Sequence, residues 1–242
     1  MLFTKPLLFI TTIMIATAAQ SATTALSTID ARFETTQCAK PCESKSQRTW
    51  WLLRSDDQVE LRDVNQASNQ LTSRSEIWKR LPDGKLNYFF LMHDEKLGIE
   101  YLPDDLKLLG VASDEKKWEI SSQLITESEL AAMVKKPMPE FYQGYVTELY
   151  TGKIQNADVI VTWLPELRIP LNVTYTYPNK QISIDLKQLN TKIDPHLRTT
   201  GQLLDQYQRV YFTDIGDMEQ SADAQQWIAK ANGAPGLHAH QH

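Results

Sequence analysis

The stretch Ile169-Pro170-Leu171-Asn172-Val173-Thr174-Tyr175-Thr176-Tyr177 alternates more cleanly than any other part of the chain. Ile169, Leu171, Val173, Tyr175 and Tyr177 face one way; Pro170, Asn172, Thr174 and Thr176 face the other. A period of two over this length marks a strand with one buried and one wet side. The neighbouring segments repeat the pattern. Ala157 to Trp163 sets Val159, Val161 and Trp163 on one face, and Gln181 to Leu186 sets Ile182, Ile184 and Leu186 against Ser183 and Asp185. Tyr142 to Tyr150, ending at Thr151-Gly152, reads as the strand before them.

Toward the N-terminus the same signals recur from Trp50 onward. Trp50 to Arg54, Gln58 to Val64, Ser75 to Leu81, Asn87 to Met92 and Lys96 to Leu102 are strand-length runs separated by turn residues such as Asp56-Asp57 and Pro82-Asp83-Gly84. Asn87 to Met92 is apolar on both faces and predicts a strand covered on both sides. Between the two strand runs the period changes. Leu106, Leu109, Ile120, Leu124, Ile125, Leu130 and Met133 fall at helical spacing, which predicts one or two helices within Asp104–Leu109 and Trp118–Val134. From about Leu203 the chain again reads as helical, with Asp217 placed to cap a helix running to Ala231.

The first residues predict export. Lys5 precedes an apolar run from Leu7 to Ile15, followed by Ala16-Thr17-Ala18, the order of a cleavable secretory signal occupying residues 1–22. The apolar run is too short for a membrane span. The formal net charge of −5 offers no electrostatic footprint for nucleic acid or an anionic lipid surface. Cys38 and Cys42 are the two cysteines of the chain. In an oxidising compartment so close a pair is most simply a disulfide, a local staple rather than a redox or metal site.

Particular residues carry a family resemblance. Tyr142-Gln143-Gly144-Tyr145, then Ala157-Asp158-Val159-Ile160-Val161-Thr162-Trp163-Leu164-Pro165-Glu166-Leu167-Arg168-Ile169-Pro170-Leu171, resemble a hairpin of the LolA/LolB-type half-barrel superfamily. Ser75-Glu76-Ile77-Trp78, Ile99-Glu100-Tyr101 and Asp104-Asp105-Leu106 are similar to a periplasmic branch other than the dedicated lipoprotein chaperone. The resemblance implies a mostly β (α+β) domain over residues 23–236. Its single curved antiparallel sheet, a half-barrel, would have a helical insertion and a C-terminal helix covering the concave face. It also implies a periplasmic binding protein whose partner is an apolar small molecule, an acyl chain or a lipidated protein. Phe90, Val159, Val161, Trp163, Leu171 and Val173 are the candidate ligand-binding residues. The N-terminal helix of the lipoprotein carriers has no counterpart, since the cysteine pair stands there instead.

Catalytic patterns are missing from the sequence. No H-E-x-x-H, G-x-S-x-G, P-loop or G-x-G-x-x-G occurs, so no enzyme activity and no cofactor are expected. His93, followed by Asp94 and Glu95, reads as part of a solvated turn, and His196 as part of a loop. His238, His240 and His242 alternate along a flexible tail, residues 237–242, in a spacing that binds copper, nickel or zinc. A periplasmic transition-metal-binding protein is therefore the alternative to an apolar-ligand carrier.

Overall fold

The computed structural model describes residues 26–138, 140–216 and 221–232. The signal segment, Asp217 and the histidine tail lie outside these. In chain order the first strands are β1 (Ile29–Ala39), β2 (Ser46–Arg54), β3 (Gln58–Asn65), β4 (Gln70–Arg80), β5 (Leu86–Met92) and β6 (Leu97–Tyr101). Three short helices follow, α1 (Pro103–Leu108), α2 (Glu115–Gln123) and α3 (Glu127–Ala131). Then come β7 (Val134–Lys136), β8 (Phe141–Tyr142), β9 (Tyr145–Val146), β10 (Glu148–Ile154), β11 (Ala157–Leu164), β12 (Ile169–Thr176) and β13 (Lys180–Asn190). The chain continues with α4 (Gly201–Leu204), β14 (Gln208–Tyr211), α5 (Phe212–Gly216) and α6 (Ala222–Asn232).

Among the described residues, twelve strands form one open sheet in the order β14-β6-β5-β4-β3-β2-β1-β13-β12-β11-β10-β7, and β8 and β9 form a small separate hairpin. The expected mostly β architecture, a single sheet with a helical insertion and a C-terminal helix, is what the chain adopts. One pairing departs from antiparallel: β14 runs parallel to β6, Gln208 opposite Leu97.

One face of the sheet carries the main core. Ile29, Phe33, Leu52, Trp78, Tyr88, Phe90, Ile99 and Ile169 are buried there with Leu106 of α1, Trp118 of α2, Ile215 of α5 and Ala224 and Ala231 of α6. Helices from both the insertion and the C-terminal part thus cover a single face, as an amphipathic sheet requires. The other face of the first half is also closed. Ile77, Phe89 and Leu91 pack under Tyr207 with Leu203 and Leu204, and Trp51, Leu53 and Val64 pack with Leu197. The all-buried pattern of β5 follows from this double cover.

Several local readings are corrected. Ile29–Ala39 is a central strand ahead of the runs expected from Trp50 onward, and Gln208–Tyr211 is a strand rather than helix. The single span Tyr142–Tyr150 resolves into the β8–β9 hairpin and a strand that runs on through Gly152 to Ile154. Gly152 is required there: a Cβ would lie 2.7 Å from Met133 Cγ and 3.3 Å from its Cα. The corner between α3 and β7 is thereby seated directly on β10. Cys38, at the end of β1, is disulfide-bonded to Cys42.

Polar staples fix the segment that crosses the outer face. Asp30, fully buried, receives Arg198 Nε at 2.8 Å and the backbone N–H of Asp194 at 2.7 Å. Glu60 receives the hydroxyl and the backbone N–H of Thr199 at 2.6 and 2.7 Å. Both carboxylates sit on strand faces, so their burial is tolerated because the crossing segment supplies their donors.

Candidate functional site

The helical insertion and the second half of the sheet border an open cavity of about 890 Å³. Trp118, Glu119 and Gln123 line it from α2, Leu130 from α3, Tyr150 from β10 and Trp163 from β11. Leu26 and Ser27 ahead of β1, and Pro165, Glu166 and Arg168 in the β11–β12 turn, add to the wall, and the charged side chains Asp56, Arg80, Glu115, Glu127 and Glu148 stand around it.

Local sequence signals place these side chains. The Asp114 carboxylate caps α2 by accepting from the Lys117 N–H, and Leu124 ends the helix in the left-handed conformation at φ 69°. Thr126 and Glu129 then open α3 as a reciprocal capping box. The helical run expected over Trp118–Val134 is therefore two short helices set at an angle by that αL residue, and the bend brings Gln123 and Leu130 to one cavity.

Behind the cavity lies Arg54, fully buried on the helix-covered face of β2. Its guanidinium donates to the carbonyls of Ser27 at 3.1 Å, Ser122 at 2.8 Å, Leu167 at 2.5 Å and Arg168 at 3.2 Å. Burial, and then the charge of Arg168, lower its pKa to about 9, which leaves it cationic at neutral pH. Four carbonyl dipoles, one of them in the last turn of α2, stand where a carboxylate would usually be. Arg54 ties the entry to β1, the end of α2 and the β11–β12 turn together, and all three segments wall the cavity.

The rim is charged. Arg80 pairs with Glu115 and Arg168 with Glu127, while Lys135 holds Glu148 at 2.5 Å. The Lys135 hydrogen bond first, and then the one from the Tyr150 hydroxyl at 2.6 Å, hold the Glu148 carboxyl below the usual range. Burial, aided by the bond to Glu148, pushes Tyr150 up to about 12. Burial also raises the Glu119 carboxyl, against the opposing charge of Arg168.

Of the six candidate ligand-binding residues, four come together. Val159, Val161, Trp163 and Val173 form one buried cluster, closed by Ile125, Leu130 and Met133, and Trp163 and Leu130 of that cluster line the cavity. Leu171 is half-buried against the main core on the same face of β12. Phe90 belongs to the main core and borders a different cavity of about 760 Å³, near the β3–β4 hairpin. The acidic and amide groups at the rim were not singled out from sequence. His238, His240 and His242 lie outside the described residues, and within those residues no three His, Cys, Asp or Glu groups could hold a metal ion.

His93 is more enclosed than a solvated turn requires. Its ring bonds Ser75 Oγ at 2.9 Å and the Tyr207 hydroxyl at 2.7 Å, between the sheet and the crossing segment. Burial first, and Arg62 second, lower its pKa to about 4, with Asp94 opposing. The unfolded chain takes up this proton near the usual 6.5, so the stabilisation from neutral His93 is complete above that pH. It is lost as pH falls toward 4. The native protein should therefore lose about 1–2 kcal/mol more than His93→Gln between pH 7 and 4.5, allowing for partial exposure of the ring. Urea unfolding of both forms at the two pH values measures this; equal losses would refute it.

No protein-family model matches the chain, and no curated protein matches it. Solved structures similar to it include PNGF-II, at 12% identity over 75% of this chain and 31% of that one, TM-score 0.39. The chain thus spans about a third of that protein's length. A LolA superfamily protein from Nitrosomonas europaea is 8% identical over 73% of this chain and 91% of its own, TM-score 0.31. A putative outer membrane lipoprotein-sorting protein domain from Vibrio parahaemolyticus is 12% identical over 74% and 92%, TM-score 0.28. The superfamily read from the hairpin is represented among them. No helix among the described residues is long and apolar enough to cross a membrane.

Proposed function

We propose that this chain is an exported, non-catalytic binding protein that holds an apolar ligand in the cavity between α2–α3 and β10–β12. A lipid, an acyl chain or a lipidated segment fits that description. The observation that carries the reading is the continuity of the cavity wall with a buried apolar cluster. Trp163 and Leu130 belong to both, and Val161 and Val173 lie beneath. Leu26, Trp118, Leu130, Tyr150, Trp163 and Pro165 give the cavity an apolar and aromatic floor beneath its charged rim, and small-molecule sites combine such a floor with polar groups that fix orientation. Export is supported by the leader-like first residues and by the Cys38–Cys42 bond, which persists in an oxidising compartment.

The neutral fluorescent probe N-phenyl-1-naphthylamine tests the site. The native protein should take it up with a blue-shifted, enhanced emission. Trp163→Ala should weaken uptake at least tenfold, a loss of about 1.4 kcal/mol or more, while far-UV circular dichroism shows the fold intact. Saturable uptake that Trp163→Ala leaves untouched would place the ligand elsewhere, and no uptake by the native protein would remove the proposal.

A further inference from the structure

The segment between β13 and β14, residues 191–207, crosses the outer face of the first half of the sheet and holds only the four-residue helix α4. Leu197 lies with Trp51, Leu53 and Val64; Leu203, Leu204 and Tyr207 lie with Ile77, Phe89 and Leu91. Polar contacts fasten it over these apolar patches. Arg198 donates to Asp30 and Thr199 to Glu60, and the Leu197 carbonyl accepts from Arg62 Nη1 at 3.1 Å.

The remaining fastening, Tyr207 on His93, is titratable. The Ser75 hydroxyl is engaged by the Glu60 carboxylate, so its oxygen accepts from His93 Nε2–H at 2.9 Å. His93 Nδ1 is then the acceptor for the Tyr207 hydroxyl at 2.7 Å. Tyr207, His93, Ser75 and Glu60 form one relay in which each group donates to the next, and it requires a neutral ring. A proton on Nδ1 takes the lone pair that Tyr207 uses and places a positive charge beside Arg62.

The surroundings set the sign. Arg62 faces the ring from β3, Asp94 from its own turn and Tyr207 from the crossing segment, with Glu60 one hydroxyl away. Arg74 of β4 and Lys230 of α6 border the cavity beside it. Burial and then Arg62 favour the neutral ring, and Asp94 opposes them. Glu60 works the other way, because burial raises its carboxyl and the closed form takes up that proton more readily. Its donors from Thr199, the charge of Arg62 and the Ser75 hydroxyl hold that rise in check, so His93 decides the direction.

We infer that residues 191–207 form a strap that opens in mild acid, when His93 takes up a proton, and uncovers the apolar outer face of β2, β3, β4 and β5. With the strap away, the ring titrates near its ordinary 6.5. The closing effect of the neutral ring is complete above that pH and fades as pH falls toward 4.

Hydrogen exchange of the native protein, corrected for the intrinsic effect of pH on amides, tests the inference. The amides of Thr199, Leu204 and Tyr207 are bonded in the closed strap, to Glu60, Thr200 and Leu204. Their opening should rise about tenfold between pH 7 and 5, allowing for partial exposure of the ring. Amides of β12 should rise much less. In His93→Gln, neutral at both pH values, the rise should vanish. The native imidazole, followed by NMR, should titrate far below its ordinary 6.5, a readout that needs no variant. Unchanged or slower strap exchange in acid, a rise that His93→Gln keeps, equal rises in strap and β12, or an ordinary His93 midpoint would each overturn the inference.

Discussion

Replacing Arg54 by leucine is expected to cost about 4 kcal/mol or more of folding stability and to abolish ligand uptake in whatever protein still folds. The estimate follows from what the guanidinium does. It satisfies carbonyls of four residues in three separate segments, Ser27, Ser122 and the Leu167–Arg168 turn. Removing it leaves those oxygens buried, at about 1–3 kcal/mol for each that water cannot reach. Loss of that size is a large fraction of a typical domain's roughly 5–15 kcal/mol. Arg54→Lys should recover only part of it, because a compact ammonium cannot span the carbonyls that a planar fork reaches. Urea unfolding midpoints for the three proteins, with probe uptake on each, measure both effects. A leucine variant within about 1 kcal/mol of native, well inside the usual range for surface changes and mild core changes, would show that the four contacts are incidental.

The second large effect is expected at Trp118. Its side chain is 1% exposed, belongs to the main core and also lines the cavity. It is the partition between a closed interior and the candidate site. Trp118→Ala should cost about 3–5 kcal/mol from lost burial and the space left behind. It should also join that space to the cavity, so that the folded fraction accepts bulkier probes than the native protein does. Trp118→Phe should keep most of the stability and the native preference. Thermal melts paired with probes of graded size settle it, and an alanine variant of unchanged stability would mean that Trp118 is no partition at all.

Some of this was legible in the sequence. β11, β12 and β13 alternate because one face is buried and the other wet, with Asn172 on the wet side bonding Ser183 and Asp185 across the sheet. β5 declared its double cover through unbroken apolar residues. β1 was missed for a physical reason. Its alternation of Ile29, Ala31 and Phe33 with Asp30 and Arg32 is short and gives way to the polar run Glu34-Thr35-Thr36-Gln37, and a register shift lies between Arg32 and Phe33. Asp30 is tolerated there only because Arg198, far along the chain, supplies its partner. β14 was misread because Leu203 and Leu204 suggest a helix, which indeed forms as α4, while the parallel pairing of the following Gln208–Tyr211 with β6 is a long-range event. Within the candidate site, the aromatic and aliphatic wall came from strand alternation. The carboxylates and Gln123 come from separate loops, helices and strands, and in a chain with 30 acidic residues no local pattern sets them apart.

The position of β1 has a consequence for time as well as space. β2 to β6 pair successively, each with the next strand in the chain, and so do β10 to β13. β1 joins these two meanders, with Leu53 opposite Asp30 on one side and Asn190 on the other. Each meander can close through local hairpins, but the seam between them must wait for β13, nearly the last strand to be made. Non-local pairings of this kind set the pace of folding. β1, made first of the described strands, therefore keeps one open edge until β13 has followed it, and a binding partner of that edge would reach the protein before β13 does.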